Sequence, residues 1–536
     1  MISISMSSKK DMPPNFQAPM RTIILIFLFT SLSIPNLKAQ IEGDDLFGVD
    51  QIISVDLSFY EADYWTTLVD NYNATENIYL WADLTLTDIT GTYTFDSVGV
   101  RLKGNSSYGH PGNKKAFKID FNEFVAGQNY DGLKKLNFSN MFKDPSCMRE
   151  KVFFDVCHSA DITAPRSSFA NVTFNGVPWG FYTVVEQIDD QFLDWSILDD
   201  NGNLFKAGDN FGGGPSGGGN AADLVYYGAE QSSYEARYEL NTNEDINDWS
   251  DLISLIDFIN NSSAAEFQDN VDNRIEFTEY LRSAALDNLF SNLDSYTGSA
   301  RNYYVYHNMT TDKWHWIKWD ANEAFGSYAN GQNNITSLAL NYRNADRPLL
   351  DKVFNDPVLY ALYKEQACFL QENFFNSTYM NARINEIRDL IQSSVYADAN
   401  KMYTNAQFET NIESNITSGG GPGGGTIYGL KSFVTARNNY LNGALDCSVF
   451  TGIEKPSFSD IHMYPNPANE TLRIDWSEAQ LQNINVLDLL GRTVATYPVM
   501  INGTILLDVS GLNRGIYIIQ FQTKNAHLSE YKLTLE

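Results

Sequence analysis

Alternating apolar and polar residues set the character of the first third of the chain. Ile78–Leu86 and Val98–Lys103 have the period of half-buried strands, with a short helix expected near Glu61–Asn71. Phe169–Ile188 predicts a hairpin turning at Asn175-Gly176, and Leu204-Phe205-Lys206 a short strand. Cys147–Ala160 reads as a helix. Beyond Asp248 the helical period takes over, over Asp248–Asn261, Glu276–Leu293, Pro348–Phe375, Ser377–Tyr403 and Tyr428–Ala444. Residues 464–536 return to short strands: Leu472–Trp476, Ile484–Leu489, Thr504–Val509, Gly515–Phe521 and Glu530–Leu535, with Gly491-Arg492 as a turn. The pattern predicts an α+β, bilobal plan with a β-rich lobe over about 50–190 and a helical lobe over about 248–446. A linker (450–461) and a small all-β sandwich (462–536) follow.

A single stretch breaks the pattern of the helical region. Tyr303–His307 and Lys313–Trp319 are aromatic and β-branched runs parted by five residues, four of them polar, an expected antiparallel hairpin. Such pairing sets Asn302 beside Asp320 at one end, with Asp294 on the loop leading in. A base Asp, then an Asn and a second Asp able to hold metal ions, is the order phosphoryl transfer uses. An acidic surface hairpin whose Asp and Asn residues serve turns explains the same spacing. The glycine-containing loop between Lys103 and Lys115 likewise has two readings: backbone N–H groups laid against phosphates, or a long hairpin turn. Lys114, Lys115 and Lys118 make it a local basic patch.

The net charge of −29 argues against nucleic acid and anionic membranes as main partners. The 536 residues, 43% of them hydrophobic and 19% charged, suit a folded protein of two or more domains. No C-x-x-C or H-E-x-x-H is present, and the G-P-S-G-G of residues 214–218 lies in a glycine-rich run, not at an expected strand-to-helix elbow, so zinc and serine-triad hydrolase readings find no support. Of the four cysteines, Cys147 and Cys157 would lie roughly 15 Å apart on one helix, too far to bridge, and Cys368–Cys447 is the expected disulfide.

Residues 1–39 read as an N-terminal extension and signal peptide. Met20-Arg21, the thirteen-residue apolar run Thr22–Ile34 and a break after about Ala39 fit a secretory signal too short to span a bilayer. No other run is transmembrane in length. Phe211–Asn220 and Gly419–Gly425 are glycine-rich spacers; the first lacks the G-K-[ST] of a P-loop.

Two resemblances follow from longer motifs. Y-P-N-P (Tyr464–Pro467), V-L-D-L-L-G-R (Val486–Arg492), L-N-R-G-I-Y (Leu512–Tyr517) and the closing K-L-T-L resemble the type A C-terminal sorting domain of Bacteroidota type IX secretion. That implies passage through the outer membrane by that machinery to the surface or beyond. R-L-K-G-N-S-S (Arg101–Ser107), K-K-A-F-K-I-D-F (Lys114–Phe121), C-M-R-E-K (Cys147–Lys151), N-G-V-P-W-G-F-Y-T-V-V-E-Q-I-D (Asn175–Asp189), N-L-F-K (Asn203–Lys206) and N-L-D…R-N-Y-Y-V-Y…W-D-A-N-E-A-F-G resemble the CotH kinase family across about residues 40–449. This resemblance implies an atypical protein-kinase fold using ATP and Mg2+ or Mn2+, with a protein acceptor. Carried over, Asp294 is the catalytic Asp, and Asn302 and Asp320 hold metal with Asn322 assisting. Lys118 or its rival Lys206 contacts phosphate, Lys115 belongs to the nearby basic patch, and Glu186 serves as a hinge or salt-bridge residue. The alternative is a catalytically idle kinase-fold protein acting as a surface adhesion or structural module. A glycan-binding reading rests only on the 13% of aromatic residues.

Overall fold

The computed structural model describes residues 41–74, 78–208, 221–417 and 425–450, and within 462–535 the strands with a few residues beside them. The expected signal peptide, most of both glycine-rich spacers, linker residues 451–461 and Pro465–Pro467 lie outside the described residues.

Seven strands close into a barrel: β1 (Ile52–Phe59), β2 (Leu80–Thr87), β3 (Thr92–Lys103), β4 (Ala116–Asp120), β5 (Lys135–Ser139), β6 (Ser167–Phe174) and β7 (Val177–Glu186). The order is β1-β2-β3-β4-β5-β7-β6, and a parallel β1–β6 ladder from Ile52↔Phe169 to Leu57↔Phe174 completes the circuit. Alternate residues fill the interior. Ile53, Val55, Leu57, Val100, Leu102, Phe117, Ile119, Leu136 and Phe138 are buried there, with the Phe117 and Phe138 rings stacked at 4.4 Å. The period of two therefore turns Arg101, Lys103, Lys118, Lys135 and Asn137 to the barrel's outside.

Four helices accompany the barrel: α1 (Asp44–Phe47), α2 (Tyr64–Ala74), α3 (Arg149–Ser159) and α4 (Asp190–Ser196). The helix expected from Cys147 begins two residues later, because Cys147 is in the left-handed region (φ 57) and cannot propagate a right-handed turn. A second, four-stranded sheet has the order β11-β10-β8-β9, from β8 (Leu204–Ala207), β9 (Tyr238–Leu240), β10 (Tyr303–Asn308) and β11 (Lys313–Lys318). The helices are α5 (Ser250–Asn261), α6 (Ala264–Asn270), α7 (Phe277–Leu289), α8 (Pro348–Asn355), α9 (Pro357–Asn373), α10 (Ser377–Ala397), α11 (Asn405–Glu413) and α12 (Leu430–Ala444). The single helix expected over Pro348–Phe375 is two. Asp356 ends α8 in an extended conformation and caps α9, accepting from the amides of Val358 and Leu359, and Pro357 takes the first position of the new helix.

One apolar cluster runs from the barrel's outer face (Phe169, Phe181, Val185) through α3 to the second sheet and the helices. The architecture mixes helix and strand, as the α+β expectation requires. A short two-residue ribbon, β12 (Ile416–Thr417) with β13 (Thr426–Ile427), precedes α12. Cys368 on α9 is bonded to Cys447 just after α12, while Cys147 and Cys157 are free and buried.

The C-terminal region has two sheets, β14-β15-β18 and β17-β16-β19-β20. They comprise β14 (His462–Tyr464), β15 (Thr471–Asp475), β16 (Leu481–Leu487), β17 (Thr493–Pro498), β18 (Thr504–Asp508), β19 (Gly515–Thr523) and β20 (Leu528–Leu535). Leu472, Ile474, Ile484, Val486, Leu507, Ile519, Phe521 and Leu533 from both sheets make one core. No described helix is long and apolar enough to cross a membrane.

Candidate active site

The loop after α7 is fixed from several sides. Lys318 on β11 pairs with Asp287 of α7 at 2.5 Å, both side chains 3% exposed. Beyond the helix, Ser299 N donates to Leu293 O (2.9 Å), and buried Arg347 donates Nη2 to Gly298 O (2.5 Å). Position 298 takes glycine because a Cβ there would stand 2.0 Å from Leu293 O. Asp294 emerges half-buried and oriented. Ser299 Oγ donates to its Oδ1 (2.8 Å), and Asn302 Nδ2 donates to its Oδ2 (3.0 Å) and its carbonyl (2.9 Å). Seven intervening residues thus fold back so that Asn302 meets Asp294.

The hairpin register begins at Tyr303↔Lys318, which puts Asn302 and Asp320 at the same end. Both are non-glycine residues in the left-handed region, at φ 58 and 50. Residues of that kind cluster where side-chain direction matters. Two more carboxyls share the neighbourhood. Glu323, 4% exposed, is pushed up to about 7 by burial and by the charges of Asp294 and Asp320, against the pull of Lys143. Glu150, in the first turn of α3, is raised by burial and then by Asp320, with Lys103 opposing. Asp294 and Asp320 thus act on Glu323, and Asp320 on Glu150, so negative charge is concentrated here.

The barrel presents the opposite sign. Lys103 donates Nζ to Asn137 Oδ1 (2.9 Å) and lies 5.3 Å over the Trp319 ring. Burial and the charge of Lys206 lower its pKa, while Asp320 and Glu150 hold it up. Lys118, paired in register with Arg101, is lowered by burial and by Lys103, Arg101, Lys135 and Lys206. The second sheet contributes Lys206, whose Nζ is 3.8 Å from Glu239.

Of the residues singled out in the sequence, Asp294, Asn302 and Asp320 stand with this group, and Lys118 and Lys206 belong to its cation set. Asn322 faces its edge, donating Nδ2 to Phe142 O (3.3 Å). Two are engaged elsewhere. Lys115 donates to the carbonyls of Tyr108 (2.6 Å) and His110 and closes its own loop. Glu186 is buried against Arg166, accepting from Nε (3.0 Å) and Nη2 (2.5 Å), and from Trp195 Nε1 (2.9 Å). Sequence reasoning missed Lys103 and Glu150. The signal for Lys103 was a cation on the polar face of β3 directly before the glycine loop. For Glu150 it was three consecutive charges, Arg149-Glu150-Lys151, ahead of the apolar run Val152-Phe153-Phe154; all three are buried.

The donor set suits a divalent cation shared with phosphates. One oxygen of buried Glu150 lacks a hydrogen-bond partner, Asp320 stands beside it, and the Asn302 amide lies at the same end. Among the described residues no three His, Cys, Asp or Glu side chains are arranged to hold a metal unaided. Magnesium needs only one or two carboxylates when phosphates and water complete its shell.

Three comparisons bear on this arrangement. A family model described as CotH kinase protein matches residues 100–418, and one described as secretion system C-terminal sorting domain matches residues 462–535. The inner spore coat protein H of Bacillus subtilis is 26% identical over 292 residues, covering 54% of this chain and 75% of that protein. Invasin CotH2 of Rhizopus delemar is 20% identical over 390 residues, covering 66% of this chain and 62% of that one, so the chain spans under two thirds of that relative. The crystal structure of CopC from Methylosinus trichosporium OB3b matches 14% of this chain and 93% of its own at 14% identity, with a TM-score of 0.11. A likeness that slight carries no argument.

Proposed function

Because the chain belongs to the CotH kinase protein family and ends in a sorting domain that directs it by type IX secretion to the cell surface or extracellular space, we propose that it is an exported atypical protein kinase. It transfers the terminal phosphoryl group of ATP to Ser or Thr hydroxyls of extracellular or surface proteins. In this reading the barrel is the nucleotide lobe, the second sheet and helices are the other lobe, and ATP lies between them.

The observation that carries the reading is the meeting of opposite charges at Lys103 and Asp320. Lys103 contacts the phosphates and Glu150 orients it, with Arg101, Lys118 and Lys206 adding positive field. Asp320 and Asn302, helped by Asn322, hold Mg2+ or Mn2+, which when bound neutralises charge on the phosphates. Asp294, aimed by Ser299 and Asn302, accepts the proton of the attacking hydroxyl. The hydroxyl oxygen bonds to phosphorus as the bond to the ADP oxygen breaks. Positioning and electrostatics supply nearly all of such catalysis.

The names of the relatives, a spore coat protein and an invasin, favour a second reading, an idle kinase-fold surface module. Thermal melting of the full chain with ATP and Mg2+ or Mn2+ separates the two. A kinase site gives metal-dependent stabilisation that Asp320→Ala loses. Radiolabel transfer to an acceptor protein is then lost in Asp294→Ala. Equal, absent shifts in both chains would leave only the surface module standing.

A further inference from the structure

We propose that Lys143, on the loop joining β5 to α3, is a catalytic residue that contacts the terminal phosphoryl group during its transfer. The assignment rests on the kinase reading above and adds a cation that reading does not use.

The cations of the proposed nucleotide site stand on the barrel and on β8. On the hairpin side, Asp294, Asp320 and Glu323 are acidic, and in the kinase reading the transferring group passes among them. Lys143 is the ammonium delivered to that side. Its Nζ lies 2.9 and 3.1 Å from the two oxygens of Glu323. Glu323 is in turn raised by burial and by the charge of Asp294 while Lys143 opposes, so Asp294 lies within electrostatic reach of the pair. The carboxylate is 6% exposed and the lysine side chain 41%, so the ammonium meets the acidic group from its solvent side. The rings of Phe142 and Tyr328 flank it at 5.3 and 5.9 Å.

The backbone is bent to bring it there. Met141, Lys143 and Cys147 have φ of 60, 59 and 57, three left-handed non-glycine residues within seven positions. The loop is held across the turn that follows Asp320. Asn322 donates to Phe142 O (3.3 Å), and Ser327 Oγ reaches Lys143 O (3.5 Å). An ion pair at a protein surface requires no such distortion, and alone contributes little. During transfer, negative charge spreads over the equatorial oxygens of the phosphoryl group while the acceptor O–P bond forms, the P–O bond to ADP breaks and the proton moves to Asp294. An ammonium placed among those carboxylates offsets that charge where it develops.

The test uses the full chain, radiolabelled ATP with Mg2+ or Mn2+, and dephosphorylated casein as acceptor. Lys143→Met is expected to lower kcat by ~100-fold, in line with loss of one charge-stabilising donor, with KM for ATP changed by less than about threefold. Lys143→Arg restores a substantial share of kcat. Lys134→Met, which removes another half-exposed lysine paired at 3.4 Å with Asp190, keeps the rate of the unaltered chain. A Lys143→Met chain as fast as the unaltered one overturns the assignment. So does a loss that Lys143→Arg fails to relieve and that follows the melting temperature. An unaltered chain showing neither label transfer nor an ATP- and metal-dependent melting shift overturns the kinase reading itself, and this proposal with it.

Discussion

On the barrel's outer face, Arg101, Lys103, Lys118 and Lys135 stand on three adjacent strands, where the period of two sets them opposite an apolar interior. Across from them, Asp294, Asp320 and Glu323 come from one connected stretch of chain around the β10–β11 hairpin. The barrel's cations are repelled by one another, and the hairpin's carboxylates likewise. Neither region has a stable charge balance alone. Each is held in place by apolar packing and buried polar contacts that lie outside the site, so the like-charged groups stay together for a ligand of mixed sign to join.

If that is so, the contacts joining the two regions carry much of the stability. Lys114, just before β4, pairs with Asp398, just after α10, at 2.7 Å with side chains 2% and 1% exposed. The same carboxylate accepts from Phe181 N on β7 (3.1 Å), and the ammonium lies 5.2 Å over the Tyr182 ring. Lys114→Met leaves Asp398 charged, buried and without its cation, and is expected to cost about 3–5 kcal/mol in urea unfolding. Pairing it with Asp398→Leu should recover most of that loss. Full stability in the single variant would mean that this ion pair does not hold the barrel to the helices.

The disulfide makes the comparison sharper, because it lies wholly on one side. Cys368–Cys447 closes a span of 79 residues within the helical region, from α9 to the residues after α12. Loop entropy puts its contribution at roughly 4 kcal/mol, less wherever the reduced chain keeps structure. Cys368→Ser with Cys447→Ser should lower the stability of the helices while leaving barrel unfolding, followed through its tryptophans, nearly where it was. A single transition shifted as one unit would show that the two regions unfold together.

The hairpin was legible because its signal is local. Two aromatic runs and a polar break fix the register, and with it the end that Asn302 and Asp320 share. The Asp356-Pro357 break between α8 and α9, and the Thr404…Gln407 capping box that opens α11, were equally local and went unread. Lys103 and Glu150 belong to another class. Their importance comes from what packs across them, on elements far away in sequence, and no spacing rule reports burial of that kind. Barrel closure through the parallel β1–β6 ladder was hidden for the same reason, since its partners Ile52 and Phe169 are joined only by the completed fold. Lys115 shows the converse: its basic patch suggested a phosphate contact, and the fold turned its ammonium onto the carbonyls of Tyr108 and His110. Glu186, expected as a hinge or salt-bridge residue, is ion-paired with Arg166.

The smallest expected effect concerns the hairpin's other end, away from Asn302 and Asp320. His307 on β10 is bound through Nδ1 to Asp251 of α5 (3.2 Å) and through Nε2 to Asp312 at the tip (3.1 Å), with its ring stacked on Trp314 at 4.8 Å. The Asp251 hydrogen bond, against desolvation and helped by Asp312, raises its pKa above the usual 6.5. A histidine raised in the folded state binds its proton more tightly there than in the unfolded chain. Its stabilisation is therefore complete below the unfolded pKa and disappears as pH climbs through the folded one. His307→Gln should cost about 1 kcal/mol or less at pH 5, the scale of a partly exposed ion pair, and nothing by pH 9. Because Asp251 and Asp312 are separate from the phosphate and metal groups, ATP- and metal-dependent stabilisation should be unaltered in this variant at either pH. Were that stabilisation to fall together with the tip contact, the two ends of the hairpin would be one cooperative unit, and the site would depend on a stretch of the sheet that none of its charges touches.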